Sequence, residues 1–182
     1  AAVAAILDGG TGVITVSGGI YTERENFNVK IKNNKNVTIK PKDDSLEDVI
    51  FSANSEEYSW LEIQENCHLT MEDITITGNF GYGLRFESGS TATISGCEFK
   101  NIFYDEIGVP INMWSSNVVL NDCTFESNKD SISCRYSTLN INDCTFADNS
   151  AYHGGVINAW SSNLTVTGSK FIGNKAYGNR SC

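Results

Sequence analysis

The sequence predicts an all-β fold, a right-handed parallel β-helix in which the chain winds as a solenoid of about seven coils. Three observations predict it. An apolar pattern recurs roughly every 25 residues, each copy alternates apolar and polar residues, and each copy is interrupted by turn residues. Helical repeats of similar length would show a 3.6-residue period, which is absent. We expect residues 1–182 to form a single domain.

Five segments carry the pattern without gaps, and they begin at Leu69, Ala92, Val118, Leu139 and Leu164. Alternation directs their first and third residues to one face of a strand. Two turn residues follow, and a second short strand then faces the same interior. Its second inward column contains Ile76, Phe99, Phe125, Phe146 and Phe171. An asparagine follows three residues later in four of the copies, at Asn79, Asn128, Asn149 and Asn174.

Earlier copies extend the pattern toward the N-terminus. Val37 begins a copy that is interrupted by an insertion at 42–48, and Ile14 is placed in the first column of the earliest copy. Each coil also has a strand upstream of its first column, and these strands contain Val29 and Ile31, Leu61 and Ile63, Leu84 and Phe86, Ile111 and Met113, Ile132 and Cys134, and Ile157 and Ala159.

Charge and composition disfavour several classes of partner. The formal net charge is −9 and the basic residues are scattered, which argues against nucleic acid because phosphate binding needs clustered Lys and Arg. No apolar run approaches the ~20 residues of a membrane-spanning helix, so no membrane span is expected. No paired-cysteine metal motif is present and His68 and His153 are isolated, so we expect neither a metal site nor a cofactor.

Three of the six cysteines, Cys97, Cys123 and Cys144, occupy one inward column on successive coils. Parallel stacking would hold their β-carbons about 4.8 Å apart, whereas a disulfide needs about 3.8 Å. They are therefore predicted to form a buried column of free thiols, and Cys134 to point inward from another strand. Cys67, in a turn, and Cys182, at the end of the chain, are each open to being free or cross-linked.

The candidate binding site lies on two near-identical segments, INMWSSN at 111–117 and INAWSSN at 157–163. Between them lies ISCRYS, so Trp114, Arg135 and Trp160 are predicted to face outward on consecutive coils. A guanidinium between two indoles would form a cation–π sandwich. Exposed indoles also suit sugar faces, and Asn112 and Asn158 could hydrogen-bond sugar hydroxyls. The alternative is a self-contained stack that only stiffens the sheet or shields it under a loop.

Two motifs carry a family resemblance. F-x-x-N recurs at 51–54, 125–128, 146–149 and 171–174, and GGVI follows one copy at 154–157. These motifs resemble the repeats of polymorphic outer-membrane proteins and of adhesin-like surface proteins. The opening segment, with Gly19-Ile20-Tyr21, is similar to the capping start of pectate-lyase-like β-helices. This likeness implies that residues 1–9 form a short helical cap over the first coil. The resemblance implies a β-helix in an extracellular or cell-surface protein.

The predicted function is a non-catalytic extracellular module, adhesin-like or structural, that contacts a host or cell-surface glycan or a protein. The alternative is a fragment of a β-helix enzyme of the polysaccharide lyase or hydrolase type. Such enzymes need clustered carboxylates. Asp73, Asp122 and Asp143 instead recur at a bend, where Asp commonly makes turn hydrogen bonds. The C-terminal coil is expected to be open, either continuing in a longer chain or associating end to end with a second copy.

Overall fold

The computed structural model describes residues 2–42, 48–103, 108–130, 132–151 and 155–177, and only the backbone of residues 54–57. Most of the predicted insertion at 42–48 and the terminal Cys182 lie outside the described residues. One short α-helix, α1 (Ala2–Ala5), and a 3-10 turn, Arg24–Asn26, precede the bulk of the strands. No helix in the described part of the chain has the length and apolar character needed to cross a bilayer.

A complete coil contributes a first, a second and a third strand, and each of these strands pairs in parallel with its equivalents in the adjacent coils. The first strands form a seven-stranded sheet of β1 (Thr11–Val16), β4 (Asn36–Pro41), β6 (His68–Glu72), β8 (Thr91–Ser95), β11 (Asn117–Asn121), β14 (Thr138–Asn142) and β18 (Asn163–Thr167). The separate second strands are β2 (Gly19–Tyr21), β9 (Glu98–Ile102), β12 (Thr124–Glu126), β15 (Thr145–Ala147) and β19 (Lys170–Ile172). The separate third strands are β3 (Val29–Ile31), β10 (Val109–Trp114), β13 (Ile132–Arg135) and β17 (Ile157–Trp160).

In the second and third coils, the second and third strands merge into the long strands β5 (Val49–Ile63) and β7 (Ile74–Phe86). These two strands join the second and third strands into one eleven-stranded sheet. A short pair, β16 (Ser150–Ala151) and β20 (Lys175–Ala176), forms a separate sheet. The described residues thus form six complete coils and the first two strands of a seventh, which confirms the predicted parallel β-helix of about seven coils.

The predicted columns are confirmed by the strand register. Val118 pairs with Ala92 on one side and with Leu139 on the other. The phenylalanine rings of the second strands stack almost parallel, with centroids 4.8 Å apart for Phe99 and Phe125 and 4.7 Å apart for Phe125 and Phe146. These distances equal the spacing of neighbouring strands in a sheet, about 4.7–4.9 Å. The rings therefore stack because the backbone register leaves them directly above one another.

The first coil corrects one prediction. Gly12, not Ile14, pairs with Val37 in the first column, and Ile14 pairs with Ile39 in the second. The physical reason is the position of Ile6, the residue that directly follows α1. A β-carbon on Gly12 would lie 2.5 Å from the Ile6 side chain, so Ile6 fills the place that a first-column side chain would take. The predicted helical cap is confirmed, since Val3 and Ile6 pack against the core.

The bend between the first and second strands explains the recurring aspartates. Asp73, Asp122 and Asp143 have φ angles of 51°, 52° and 54°, in the left-handed region that Asp tolerates better than most residues. Gly96 and Gly168 take the same place in other coils, with φ of 63°. This arrangement agrees with the predicted turn role of the three aspartates.

Three asparagines of the predicted column, Asn128, Asn149 and Asn174, form a hydrogen-bonded ladder. Asn79 is not part of it, and its side-chain oxygen is buried without a hydrogen-bond partner among the described residues. The Asn149 side chain donates to the carbonyl of Phe125 over 2.9 Å, and its Oδ1 accepts from the backbone N–H of Asn128 over 3.0 Å. The Asn128 side chain repeats the arrangement one coil earlier, with Phe99 and Ile102 as its partners. Each amide thus satisfies backbone groups at a corner of the coil, where the strand ladder is interrupted.

The last coil contacts a neighbouring coil on one side only within the described residues. Its inward residues, Leu164, Val166 and Phe171, are consequently more exposed than their equivalents in earlier coils, and Phe171 reaches 48%.

Replacing Phe125 by alanine should lower the free energy of unfolding by about 3–5 kcal/mol, because the ring is fully buried between two stacked neighbours and leaves a cavity. Urea denaturation followed by circular dichroism measures the loss. Glu126→Ala is the matched control, since this exposed residue follows on the same strand and its loss should change stability by less than about 0.5 kcal/mol. Equal midpoints for Phe125→Ala and Glu126→Ala would contradict the stacked column.

Candidate functional site

The predicted site residues lie on the outer face of the third strands. Trp114 pairs with Arg135 and Arg135 pairs with Trp160, so the three residues occupy consecutive coils as expected. Met113 and Cys134, one residue earlier on their strands, point into the core. Alternation along the strand therefore directs Trp114, Arg135 and Trp160 outward.

The stacking between the indoles differs from the prediction. The ring of Tyr136, not the guanidinium of Arg135, lies between them, with centroids 5.5 Å from Trp114 and 5.0 Å from Trp160. Both contacts are edge-to-face, at 72° and 70°. The predicted sandwich is wrong, and the cation–π contact found among the described residues joins Arg85 and Tyr58 instead. We name Trp114, Tyr136 and Trp160 the aromatic ladder.

Small residues in the neighbouring coils explain the position of Tyr136. The turn after the third strand has a left-handed residue in each of three coils: Ser115 (φ 50°), Tyr136 (φ 53°) and Ser161 (φ 49°). Because serine lies on both sides, the phenol ring has room to lie between the two indoles. The alignment of Ser115, Tyr136 and Ser161 is visible in the sequence and is the signal that could have identified Tyr136.

The aromatic ladder remains open to solvent despite these contacts. Trp114 is 46% exposed, Tyr136 49% and Trp160 56%. Beside it, Arg135, Asn158 and Trp160 line a cleft of about 320 Å³. The Arg135 guanidinium has neither an ion pair nor a hydrogen bond to any residue that the structure describes. It is therefore available to a ligand in this cleft.

The predicted asparagines form a second outward column beside the ladder. Asn112 pairs with Ser133, and Ser133 pairs with Asn158, so three short polar side chains stand on consecutive coils. Asn112 and Asn158 are half-buried. The structure therefore brings all five predicted site residues onto one face. It adds Tyr136 and Ser133, which the sequence analysis did not single out as site residues.

The N-terminal part of the same face differs in character, because its charges neutralise one another. The buried Glu62 carboxylate lies 3.2 Å from Lys30 Nζ and 3.9 Å from the Arg85 guanidinium, which also lies 2.7 Å from Glu87. Burial alone would raise the pKa of Glu62, but hydrogen bonds from Gln64 and Lys30, with the charges of Lys30 and Arg85, bring that pKa below its usual value.

A polar cleft of about 480 Å³ lies beside Glu62. It is lined by Asn33, Asn34, Glu62, Gln64, Glu65, Asn66 and Glu87. The Glu62 carboxylate that faces it is already held by Lys30, Gln64 and Arg85. The cleft therefore differs from the one at Arg135, where the charged group has no partner among the described residues.

The fold and the site can be compared with known proteins at this point. The family described as "Right handed beta helix region" matches residues 37–180, which is most of the chain. The chain belongs to the right-handed β-helix family. Comparison with curated proteins and with solved structures gives no match.

In this right-handed β-helix, the predicted thiol column is confirmed. Cys97, Cys123 and Cys144 are buried and free, and so is Cys134. Cys67, which the sequence left open to cross-linking, is also free and buried. Burial raises the pKa of Cys97 to about 12, and a hydrogen bond with Cys144 together with burial raises the pKa of Cys123. The hydrogen bond with Cys123 lowers the pKa of Cys144. All five thiols fill space in the core, and the raised pKa values make Cys97 and Cys123 poor nucleophiles.

Metal-binding side chains are dispersed over this β-helix. No group of three or more His, Cys, Asp or Glu side chains among the described residues is arranged to hold a metal ion. The His68 ring lies on the first-strand sheet, 2.7 Å from the Thr91 hydroxyl and 3.3 Å from that of Thr70. His153 lies outside the described residues.

The buried thiols should be unreactive in the native protein. In a Cys182→Ser variant at pH 8, Ellman's reagent should modify well under one thiol per chain, because the pKa of Cys97 is raised to about 12 and all five remaining cysteines are buried. In guanidinium chloride, where the protein is unfolded, the reagent should modify all five thiols of the same variant. Rapid modification of two or more thiols without denaturant would show that the column is accessible.

Proposed function

We propose that this chain is a non-catalytic module of an extracellular surface protein and that it binds a glycan on the aromatic ladder. The observation that carries the proposal is the ladder itself, three large aromatic side chains on consecutive coils that remain about half exposed. Contiguous exposed aromatic surface is characteristic of interaction sites. Aromatic rings pack well against the apolar faces of sugar rings.

The contacts within the aromatic ladder bury only part of the surface of its three rings. Edge-to-face pairs of this kind contribute about 0.5–1.5 kcal/mol each, which orders the rings. About half of each side chain nevertheless faces solvent. This favours a binding role over a stack that only stiffens the sheet.

Polar groups beside the ladder support a sugar ligand. Asn112, Ser133 and Asn158 present amides and a hydroxyl in a column on the same face, within reach of a ligand that lies across the rings. The backbone ladders on both sides of β13 hold these groups in place. A preorganised surface of this kind loses little conformational entropy when it binds.

The solenoid itself suits a surface protein. A rigid stack of coils presents an extended surface at a distance from its attachment point. The F-x-x-N copies, which resemble repeats of adhesin-like surface proteins, support a cell-surface location and an adhesive role.

Replacing both Trp114 and Trp160 by alanine should weaken glycan binding at least tenfold, because exposed aromatic anchors commonly contribute more than 1 kcal/mol each. Binding to a glycan array, followed by titration calorimetry with the best ligand, measures the effect. Tyr177→Ala is the matched control, since Tyr177 is an exposed aromatic residue outside the ladder. Undiminished binding by the folded double variant would rule out the ladder as the glycan site.

A further inference from the structure

We infer that the ligand of this face is an acidic glycan, and that Arg135 binds the carboxylate or sulfate group of one of its sugar units. This inference rests on the proposed glycan-binding function and adds the chemical class of the sugar. It is carried by the contrast between Arg135 and Arg85, two arginines on the same outer face of which only Arg85 has acidic partners among the described residues.

Several basic side chains have an acidic partner, although the chain carries a net charge of −9. The pairs and their N···O distances are Lys30 with Glu62 at 3.2 Å, Lys35 with Asp8 at 3.6 Å, Arg85 with Glu87 at 2.7 Å, and Lys100 with Glu98 at 2.8 Å. Arg135 has no such partner among the described residues. An arginine left unpaired in an acidic protein, in a cleft beside exposed aromatic rings, suggests that its anion comes from a ligand.

The position of Arg135 suits an anionic sugar. It is on the strand between those of Trp114 and Trp160, about 4.8 Å from each in the direction of stacking. A sugar ring that packs on Trp160 in the cleft therefore places its substituents next to the guanidinium. The planar guanidinium presents paired N–H donors that match a carboxylate or sulfate. The neighbouring rings displace water, which strengthens the ion pair.

Two arginines on the same sheet face provide an internal comparison. Arg85 lies on β7, where Glu62 and Glu87 neutralise it and the Tyr58 hydroxyl accepts a hydrogen bond from it over 3.0 Å. Arg135 lies two coils further along, in the neighbouring outward column, and its register partners are the indoles of Trp114 and Trp160. The register partners of Arg85 are instead Glu62 and Asn112. One arginine is engaged within the protein and the other is available.

The test is titration calorimetry of the whole chain with three oligosaccharides that share one backbone: a hexuronate oligomer, its carboxyl-reduced neutral counterpart, and a sulfated form of that neutral oligomer. At least one acidic form should bind about tenfold more tightly than the neutral form, as expected for a charge-assisted bidentate contact. Arg135→Gln should abolish this preference, and Arg85→Gln should retain it. The tighter of the two acidic forms identifies the group that Arg135 binds.

Equal affinity for acidic and neutral forms, or a preference that survives Arg135→Gln, would overturn the inference. If that result is accompanied by binding that Trp114→Ala with Trp160→Ala removes, the proposed glycan function stands and only its acidic specificity fails. If the wild-type chain binds none of the three oligosaccharides, the acidic class is excluded, and the glycan array described above decides the broader function separately.

Discussion

The structure depends on one geometric constraint, the spacing of about 4.8 Å at which each coil stacks in register on the next. This spacing brings the rings of Phe99, Phe125 and Phe146 into parallel contact at 4.8 and 4.7 Å. It also lets the Asn149 side chain bond the preceding coil twice, as donor to the Phe125 carbonyl and acceptor from the Asn128 N–H. The same repeat places Trp114 and Trp160 on the outer face two coils apart, and Tyr136 from the coil between them contacts both rings edge-to-face.

Most of the fold could be predicted because side-chain alternation and a repeat of roughly 25 residues together leave few possible registers. The prediction failed in the first coil, where Ile14 proved to be a second-column residue. Alternation alone cannot distinguish the first inward residue of a strand from the second when the first is a glycine. The filling of the space above Gly12 by Ile6 is a tertiary contact, and local sequence carries no signal of it.

The candidate site was predictable to the same extent and for the same reason. Strand register placed Trp114, Arg135 and Trp160 on consecutive coils, whereas the ring that lies between the indoles belongs to Tyr136. Tyr136 lies in a left-handed turn, where strand alternation no longer gives the direction of a side chain. Because the Tyr136 ring lies between the indoles, the Arg135 guanidinium does not stack between them as predicted. The N-terminal part of the face satisfies its charges internally, and the C-terminal part leaves both rings and a cation exposed.

In-register stacking can be measured by double electron–electron resonance between two spin labels. The labels are placed in one outward column of the first-strand sheet, formed by Thr38, Thr70, Thr93, Val119, Asn140 and Thr165. In a Cys182→Ser background, where the native thiols are buried, labels would replace Thr38 together with Asn140, or Thr38 together with Thr165. These pairs lie four and five strands apart, so their distances should be about 19 Å and about 24 Å and should differ by one strand spacing. Distances that do not increase by about 4.8 Å from the first pair to the second, or that greatly exceed these values, would contradict the stacked solenoid.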